Sequence, residues 1–435
     1  MIRKILLSAA FVAALTQIST AQTKLQTGIW RGALKTDGGK IMQVVIAVND
    51  STSINTLGKF RATIPFNFEV RNAGDKQQLT IINSNERFKV TDVVLKGDSV
   101  FIKMPLFDSE FRLKQTGNTL SGHFIKHLGE KDVPMDFTAT AATPYRFFKD
   151  AEKPQYNVSG RWSAIIGEGE GRDTTVGEFK QTGAKVTGTF LTTTGDYRFL
   201  EGTVAGNKLY LSCFDGGHAF LFTADISGDK TIANGKFFSG ATGKDVWIAT
   251  RDENAKLPDA YSLTALKPGY KKLDFTFKDL AGKPVSLTDA RFKNKVVIVQ
   301  ILGSWCPNCM DETAYMVNYY KKYQPKGVEV VGLAYERTTD FTKSQKTLLQ
   351  LKNRFDIKYP LLITGFTNNK AETAKSLPAL TKVVGFPTTI IIDKTGDVRK
   401  IHTGFSGPGT GAHYTEFISE FEKLTDDLLA EKPKA

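Results

Sequence analysis

The pattern of apolar and polar positions divides the chain into two regions of different character. From residue 22 to about residue 250, apolar and polar residues alternate in short runs that are separated by turn residues, and helical periodicity is weak. Such alternation is typical of antiparallel strands with one buried face. We therefore predict an N-terminal antiparallel β-rich region, barrel-like or meander-like, with its clearest strands at residues 44–48, 99–104, 208–213 and 219–224.

The C-terminal part instead alternates apolar strand-like runs with helical patterns. Residues 295–302 are β-branched and apolar enough for a strand buried on both faces, and residues 307–323 have helical content. This alternation predicts an α/β sandwich, with further helices at 341–355, 370–384 and 414–429 and strands at 359–363, 388–392 and 398–403.

Proline-rich segments without periodicity suggest the domain boundaries. We expect a signal peptide at 1–21, β-rich units at 22–145 and 155–250, a linker at 251–265 and an α/β domain at 266–430. A Gly-x-Trp sequence stands near the start of each β-rich unit, with the tryptophans at Trp30 and Trp162. Two related β units and one larger curled sheet explain this repetition equally well, and a barrel of this kind could hold a small apolar ligand.

The stretch Trp305-Cys306-Pro307-Asn308-Cys309 carries the clearest candidate chemistry. It lies between the apolar strand and the helix, so both thiols fall at a predicted helix start. The partial positive charge and free N–H groups of a first helical turn favour a thiolate, here on the more exposed sulfur, which we expect to be Cys306. This arrangement predicts a reversible disulfide between Cys306 and Cys309.

Other uses of a CxxC motif explain the sequence less well. A tetrahedral zinc site needs two more ligands, and the remaining cysteine, Cys213, lies far upstream, so no metal is expected. A structural disulfide across so short a loop would restrict the unfolded chain only modestly. Cys213 itself sits in an apolar alternation, where a small buried hydrophobe is the expected role.

Residues 266–429 resemble the thioredoxin-like fold, and within it the TlpA-like or ResA-like thiol-disulfide oxidoreductases. Besides WCPNC, the likeness rests on the segments at 274–287, 327–333 and 385–396. The resemblance implies an exported protein thiol-disulfide oxidoreductase without a cofactor. It favours a reducing role, with protein thiols or disulfides as substrates and an upstream thiol as electron donor.

The same resemblance assigns roles to residues around the cysteines. Pro387 corresponds to a cis proline that faces the sulfurs, and the backbone of Phe386 would pair with the bound partner, while Trp305 shields the edge of the site. Glu312 matches an acidic residue that could relay the proton of Cys309, although a glutamate in a first helical turn is also ordinary dipole complementation. This chain departs from thioredoxins proper at Gln300, where an acid is usual and an amide cannot carry a proton.

The N-terminus indicates where the protein works. Arg3 and Lys4 precede an apolar run, and Ser19-Thr20-Ala21 offers small residues for cleavage, so we predict a secretory signal and a periplasmic protein. The apolar run is too short to span a membrane comfortably.

Charge adds little to this interpretation. The formal net charge is +13, but the charges are interspersed, which favours general solvation over binding to acidic partners or an anionic membrane surface. No basic block interleaved with aromatic residues indicates nucleic-acid binding.

Two other classes of function remain open from the sequence. A thiol peroxidase would also use an activated cysteine, but the expected threonine and proline arrangement is missing. Alternatively, the β-rich region could bind a ligand or a partner, with the redox domain in a regulatory role.

Overall fold

The protein is described by a computed structural model that covers residues 24–37, 62–128 and 131–432. It is a multidomain chain with two antiparallel, barrel-like β sheets followed by a thioredoxin-like α/β domain. The predicted signal peptide and the predicted strand at 44–48 lie outside the described residues. Within the described ranges, no helix is both long and apolar enough to cross a membrane.

Within the described residues, the first sheet is a nine-stranded meander whose first and last strands pair with each other. Its strand order is β4-β3-β2-β1-β9-β8-β7-β6-β5, and all neighbours are antiparallel. The strands are β1 Gly28–Thr36, β2 Ala62–Ala73, β3 Lys76–Asn83, β4 Glu86–Val90, β5 Asp92–Lys96, β6 Ser99–Lys103, β7 Ser109–Thr116, β8 Thr119–Leu128 and β9 Lys131–Ala141.

The second sheet closes on itself. Its order is β11-β10-β18-β17-β16-β15-β14-β12-β13, and an additional pairing between β11 and β12 completes the ring. The strands are β10 Gly160–Ile166, β11 Asp173–Thr182, β12 Lys185–Thr192, β13 Gly195–Asp196, β14 Leu200–Ala205, β15 Lys208–Phe214, β16 Ala219–Ile226, β17 Thr231–Ser239 and β18 Gly243–Arg251.

The repeated tryptophans occupy equivalent places in the two sheets. Trp30 lies on β1 and Trp162 on β10, and each strand pairs with both the next strand and the last strand of its own sheet. Each indole N–H donates to the carbonyl four residues earlier, Gln26 at 2.8 Å and Val158 at 2.9 Å. Of the two explanations for the repetition, the structure has two separate sheets of related design.

Aromatic side chains fill the interiors of both sheets. In the second sheet, Phe222 stacks on Phe237 with ring centroids 4.3 Å apart and also contacts Phe190 and Trp247. The cavity inside the first sheet measures about 10 Å³. That volume suits about one water molecule and offers no support for the predicted small apolar ligand.

The α/β domain has a seven-stranded mixed sheet of order β20-β19-β23-β22-β21-β24-β25, in which β21, β22 and β23 are parallel. Helix α1 starts directly beyond the carboxyl end of β21, as the sequence predicts. The strands are β19 Thr276–Asp279, β20 Pro284–Ser286, β21 Val296–Leu302, β22 Val328–Glu336, β23 Leu361–Thr367, β24 Thr388–Ile392 and β25 Val398–Thr403, and the helices are α1 Pro307–Tyr323, α2 Phe341–Phe355, α3 Lys370–Ser376 and α4 Ala412–Ala430.

Two elements differ from the prediction. The helix predicted at 370–384 ends at Ser376 because Pro378 disfavours helical geometry at the preceding residue. The strand predicted at 359–363 begins two residues later and continues to Thr367, where it still pairs with the end of β22. The predicted start was two residues too early, and the predicted end was four residues too early because Thr364 and Gly365 interrupt the apolar run.

Candidate functional site

The two cysteines lie where β21 passes into α1. Cys306 is the residue just before the helix, Pro307 is its first residue, and the Cys309 N–H donates to Cys306 Sγ at 3.3 Å. Cys306 is 5% exposed and Cys309 is fully buried, so Cys306 is the more accessible thiol. Both are free thiols here.

The loop before β24 faces the first cysteine. The Phe386–Pro387 peptide bond is cis, and the Cys306 thiol donates to the Phe386 carbonyl with 3.7 Å between sulfur and oxygen. Trp305 packs against Phe386 with ring centroids 5.3 Å apart, and its indole N–H donates to the Tyr335 carbonyl at 2.9 Å. The structure thus brings together Trp305, both cysteines, Phe386 and Pro387.

Glu312 lies one helical turn beyond Cys309 and is fully buried. Its carboxylate accepts from Gln300 Nε2 at 2.7 Å and from the Thr389 hydroxyl at 2.5 Å. Burial raises the pKa of Glu312 to about 7, although both hydrogen bonds oppose the shift. The carboxyl group can therefore gain and lose a proton near neutral pH.

Sequence reasoning missed Thr389 and the structural role of Gln300. The two residues are cross-strand partners on β24 and β21, and both face the carboxylate of Glu312. Thr389 lies two residues after the cis proline, and this position next to the predicted proline loop is the sequence feature that could have identified it as a site residue. The Gln300 amide cannot carry a proton, but its hydrogen bond orients the Glu312 carboxyl group, which can.

The second cysteine is held in its protonated form. Burial raises the pKa of Cys309 well above its ordinary value, and the hydrogen bond and negative charge of Cys306 raise it further. A thiol in that state needs a base before it can attack a disulfide. The negative charge of Glu312, one helical turn further along α1, is a further and smaller cause of the raised pKa of Cys309.

Cys213 lies apart from this site, in the core of the second sheet. It is fully buried on β15 opposite Phe220, and burial raises its pKa well above the ordinary value. Its cluster of packed side chains contains residues of the second β unit, whereas Cys306 and Cys309 belong to the core of the α/β domain. The structure therefore does not bring Cys213 to the other two cysteines.

Segments of the β-rich region cover the face of the α/β domain that carries Cys306. A methyl group added at Gly195 would clash with Asn308 of the CxxC loop, and one added at Gly385 would clash with Thr194. On a second segment, a methyl group added at Gly217 would lie 3.0 Å from Pro307. We call residues 193–195 and 216–217 the cover, and no sequence pattern predicted it.

A buried arginine three residues beyond the first segment of the cover contacts the helix that follows Cys306. Arg198 contacts Glu86 of the first sheet at 2.7 Å, Asp215 of the second sheet at 3.2 Å, and Asp311 of α1. Burial alone would lower the pKa of Arg198, but the carboxylates of Glu86 and Asp215 raise it above the ordinary value. The Arg198 junction therefore ties together all three parts of the chain.

Comparisons with known proteins agree with this geometry. A family model described as the AhpC/TSA family matches residues 268–401. The thiol-disulfide oxidoreductase ResA of Bacillus thuringiensis subsp. konkukian is 33% identical over 130 residues, which are 30% of this chain and 66% of that protein. The thioredoxin-like protein YneN of Bacillus subtilis is 31% identical over 139 residues, which are 32% of this chain and 73% of that protein.

Among solved structures, a thiol:disulfide interchange protein of the thioredoxin family from Chlorobium tepidum TLS is 22% identical. It covers 38% of this chain and 100% of its own length, with a TM-score of 0.29.

A helix-start CxxC beside a cis proline, on a mixed sheet with four helices, defines a thioredoxin-like redox domain. The chain belongs to the thioredoxin-like thiol-disulfide oxidoreductases related to ResA and YneN. The matched part spans just under two thirds of the first ResA relative.

Proposed function

We propose that this protein is an exported thiol-disulfide oxidoreductase that works through a reversible Cys306–Cys309 disulfide. The observation that best supports the proposal is the pair of thiols at the start of α1, with the Cys309 N–H donating to Cys306 Sγ. Donation from backbone N–H groups stabilises negative charge on that sulfur, and a thiolate is the species that attacks a disulfide.

The reaction proceeds in two exchanges. Cys306 attacks one sulfur of a partner disulfide, so a mixed disulfide forms and the other partner sulfur leaves as a thiolate. Cys309 then attacks Cys306, which releases the second partner sulfur and leaves Cys306 and Cys309 joined. Two electrons pass from the protein to the partner, and the reverse sequence returns them.

The surrounding residues support these steps. Glu312, whose pKa is raised to about 7 by burial, accepts the proton of Cys309 and so makes the second attack possible. The Phe386 backbone and Pro387 position the partner's chain, and Trp305 closes one edge of the site by packing on Phe386.

The proposed setting is the periplasm, reached through the signal peptide predicted at 1–21. Protein disulfides are the proposed substrates, an upstream thiol is the proposed electron donor, and reduction is the proposed direction. Structural disulfides form in such oxidising compartments, so substrates for exchange are present there.

Trapping tests the proposal directly. In the Cys309→Ala variant the mixed disulfide cannot be resolved, so partners should remain attached to Cys306 and run as larger species on non-reducing gels. A reductant should release them, and the double variant Cys306→Ser/Cys309→Ala should trap none. Trapping by the double variant at the level of Cys309→Ala would contradict the proposal.

Turnover gives an independent check. Wild-type protein should reduce insulin with dithiothreitol as donor, and Cys306→Ser should lower the rate to the uncatalysed level. The peroxidase alternative predicts rapid hydrogen peroxide consumption by the reduced protein instead.

A further inference from the structure

A cleft of about 280 Å³ lies between the first β sheet and the α/β domain, next to the CxxC motif. Phe107 lies on the side of the sheet, while Ser304 and Trp305 lie on the opposite side and directly precede Cys306. The volume falls near the lower end for small-molecule sites, which begin at about 300 Å³.

Positive charge predominates in the cleft. Among the described residues that line it, the lysine, arginine and acidic side chains are Lys126, Arg337, Lys343, Lys346, Asp108 and Glu336, and the imidazole of His127 lines it too but contacts Asp132 at 2.7 Å. The Glu336 carboxylate is already engaged, because it accepts from the Ser304 N–H at 2.8 Å and from the Ser304 hydroxyl at 2.6 Å. The lining therefore has an excess of cations over acids.

Two of these cations lie close to residues that contact or belong to the redox motif. Lys126 Nζ donates to the Gly217 carbonyl at 2.6 Å, and Gly217 packs against Pro307 between the two cysteines. The Arg337 guanidinium lies 5.6 Å from the centre of the Trp305 ring. A ligand that reaches the neighbourhood of Cys306 from this cleft would meet both charges.

The two cations also repel each other. Burial lowers the pKa of Lys126 and the charge of Arg337 lowers it further, whereas the negative charge of Asp215 opposes the shift. Because little water remains around Lys126 to screen its charge, the two cations repel each other strongly. An anion bound between Lys126 and Arg337 would be attracted by both.

The cover limits the size of what can approach from the other side. Thr194 occupies the space beside Gly385, immediately before Phe386, and Gly195 packs on Asn308. A folded partner that pairs with the Phe386 backbone needs the cover to move. A small molecule of the cleft's size can approach without any movement of the cover.

We propose that the cleft binds the carboxylate-bearing part of a low-molecular-weight disulfide that exchanges with Cys306. The inference rests on the proposed function and adds a class of substrate to it. Cys306 attacks one sulfur of the small disulfide and releases the first thiolate, and Cys309 then displaces the second. The protein dithiol is oxidised to a disulfide, the substrate gains two electrons, and the two thiol protons pass to the products or to water.

Three disulfides of similar length and different charge test this inference. Reduced full-length protein is mixed with dithiodipropionate, hydroxyethyl disulfide or cystamine, which are anionic, neutral and cationic, and the remaining thiols are counted over time by alkylation and mass spectrometry. Comparing variant with wild type for the same compound removes differences in intrinsic reactivity. Lys126→Met and Arg337→Gln should each lower the ratio of the dithiodipropionate rate to the hydroxyethyl disulfide rate about tenfold and raise the corresponding cystamine ratio.

The matched control is Lys103→Met, on an exposed position of the first sheet outside the cleft. It should leave all three rates at the wild-type level. High salt should reduce the wild-type preference for the anion, because it screens the attraction. If Lys126→Met does not fold, Lys346→Met at the exposed rim should lower the anionic ratio about threefold.

Unchanged ratios in the folded cleft variants would overturn the inference and leave the proposed function standing. Failure of all three disulfides to oxidise the wild-type protein would instead count against the proposed function.

Discussion

Replacing Glu312 with glutamine should change stability in a way that depends on pH. The carboxyl group has a pKa of about 7 in the folded protein, against an ordinary value of 4.5. Because the folded-state pKa is raised, the folded protein binds more protons than the unfolded chain between these values, and stability falls as pH rises through this window. Complete ionisation therefore costs the wild type about 3 kcal/mol at pH above 8.

The variant removes that cost but disturbs the local hydrogen bonds. Glutamine keeps one acceptor oxygen for Gln300 or Thr389, and its amide donates where the carboxylate accepted, so about one hydrogen bond worth about 1 kcal/mol is lost. We expect Glu312→Gln to be less stable than wild type by about 1 kcal/mol near pH 4.5 and more stable by about 2 kcal/mol near pH 8.5.

Chemical denaturation of the reduced, full-length protein across this pH range measures the difference. Glu420→Gln, at an exposed position of α4, is the matched control and should follow the wild type throughout. A stability difference between Glu312→Gln and wild type that stays constant from pH 4.5 to 8.5 would refute the reasoning. In insulin reduction, the same variant should be roughly 100-fold slower at the resolving step, because it has no base for Cys309.

Three further substitutions test other parts of the molecule. Arg198→Met should lower the free energy of unfolding by about 3–5 kcal/mol, because it leaves buried carboxylates unpaired; thermal unfolding measures this, and equal stability of Arg198→Met and the exposed control Arg87→Met would contradict it. Phe222→Ala should cost about 3–5 kcal/mol in denaturant unfolding through the cavity it leaves in the second sheet, whereas Phe101→Ala, with a side chain 38% exposed, should cost far less. Cys213→Ala should retain the wild-type rate of insulin reduction, and a large loss of rate in the folded variant would show that this thiol takes part.

The elements around the CxxC motif could be predicted because their signals are local. Helix α1 begins and ends where the sequence predicts, since Pro307 suits a first turn and the apolar run before it suits a buried strand. Helix α3 was predicted eight residues too long because the periodic pattern was followed past Pro378. A proline at that point outweighs the pattern, because helical geometry is disfavoured at the residue before it.

The environment of the site depends on contacts between residues far apart in the chain. The local periodicity of apolar and polar residues contains no information about such contacts. Arg198 meets Asp311 across more than a hundred residues, and nothing in the sequence near either residue marks the pair. The cover and the cleft exist only because both β sheets pack on the α/β domain. The position of the two thiols at the start of α1 could thus be predicted from the sequence, whereas the contacts that cover them could not.

The most direct test of the central claim is a count of thiols in the denatured, full-length protein before and after oxidation by a stoichiometric disulfide. Alkylation and mass spectrometry should find three thiols in the reduced protein and one, at Cys213, in the oxidised protein. A peptide pair joining Cys306 to Cys309 should appear, and dithiothreitol should restore all three thiols. Retention of alkylatable Cys306 and Cys309 after oxidant treatment, or a bond from either one to Cys213, would contradict the account.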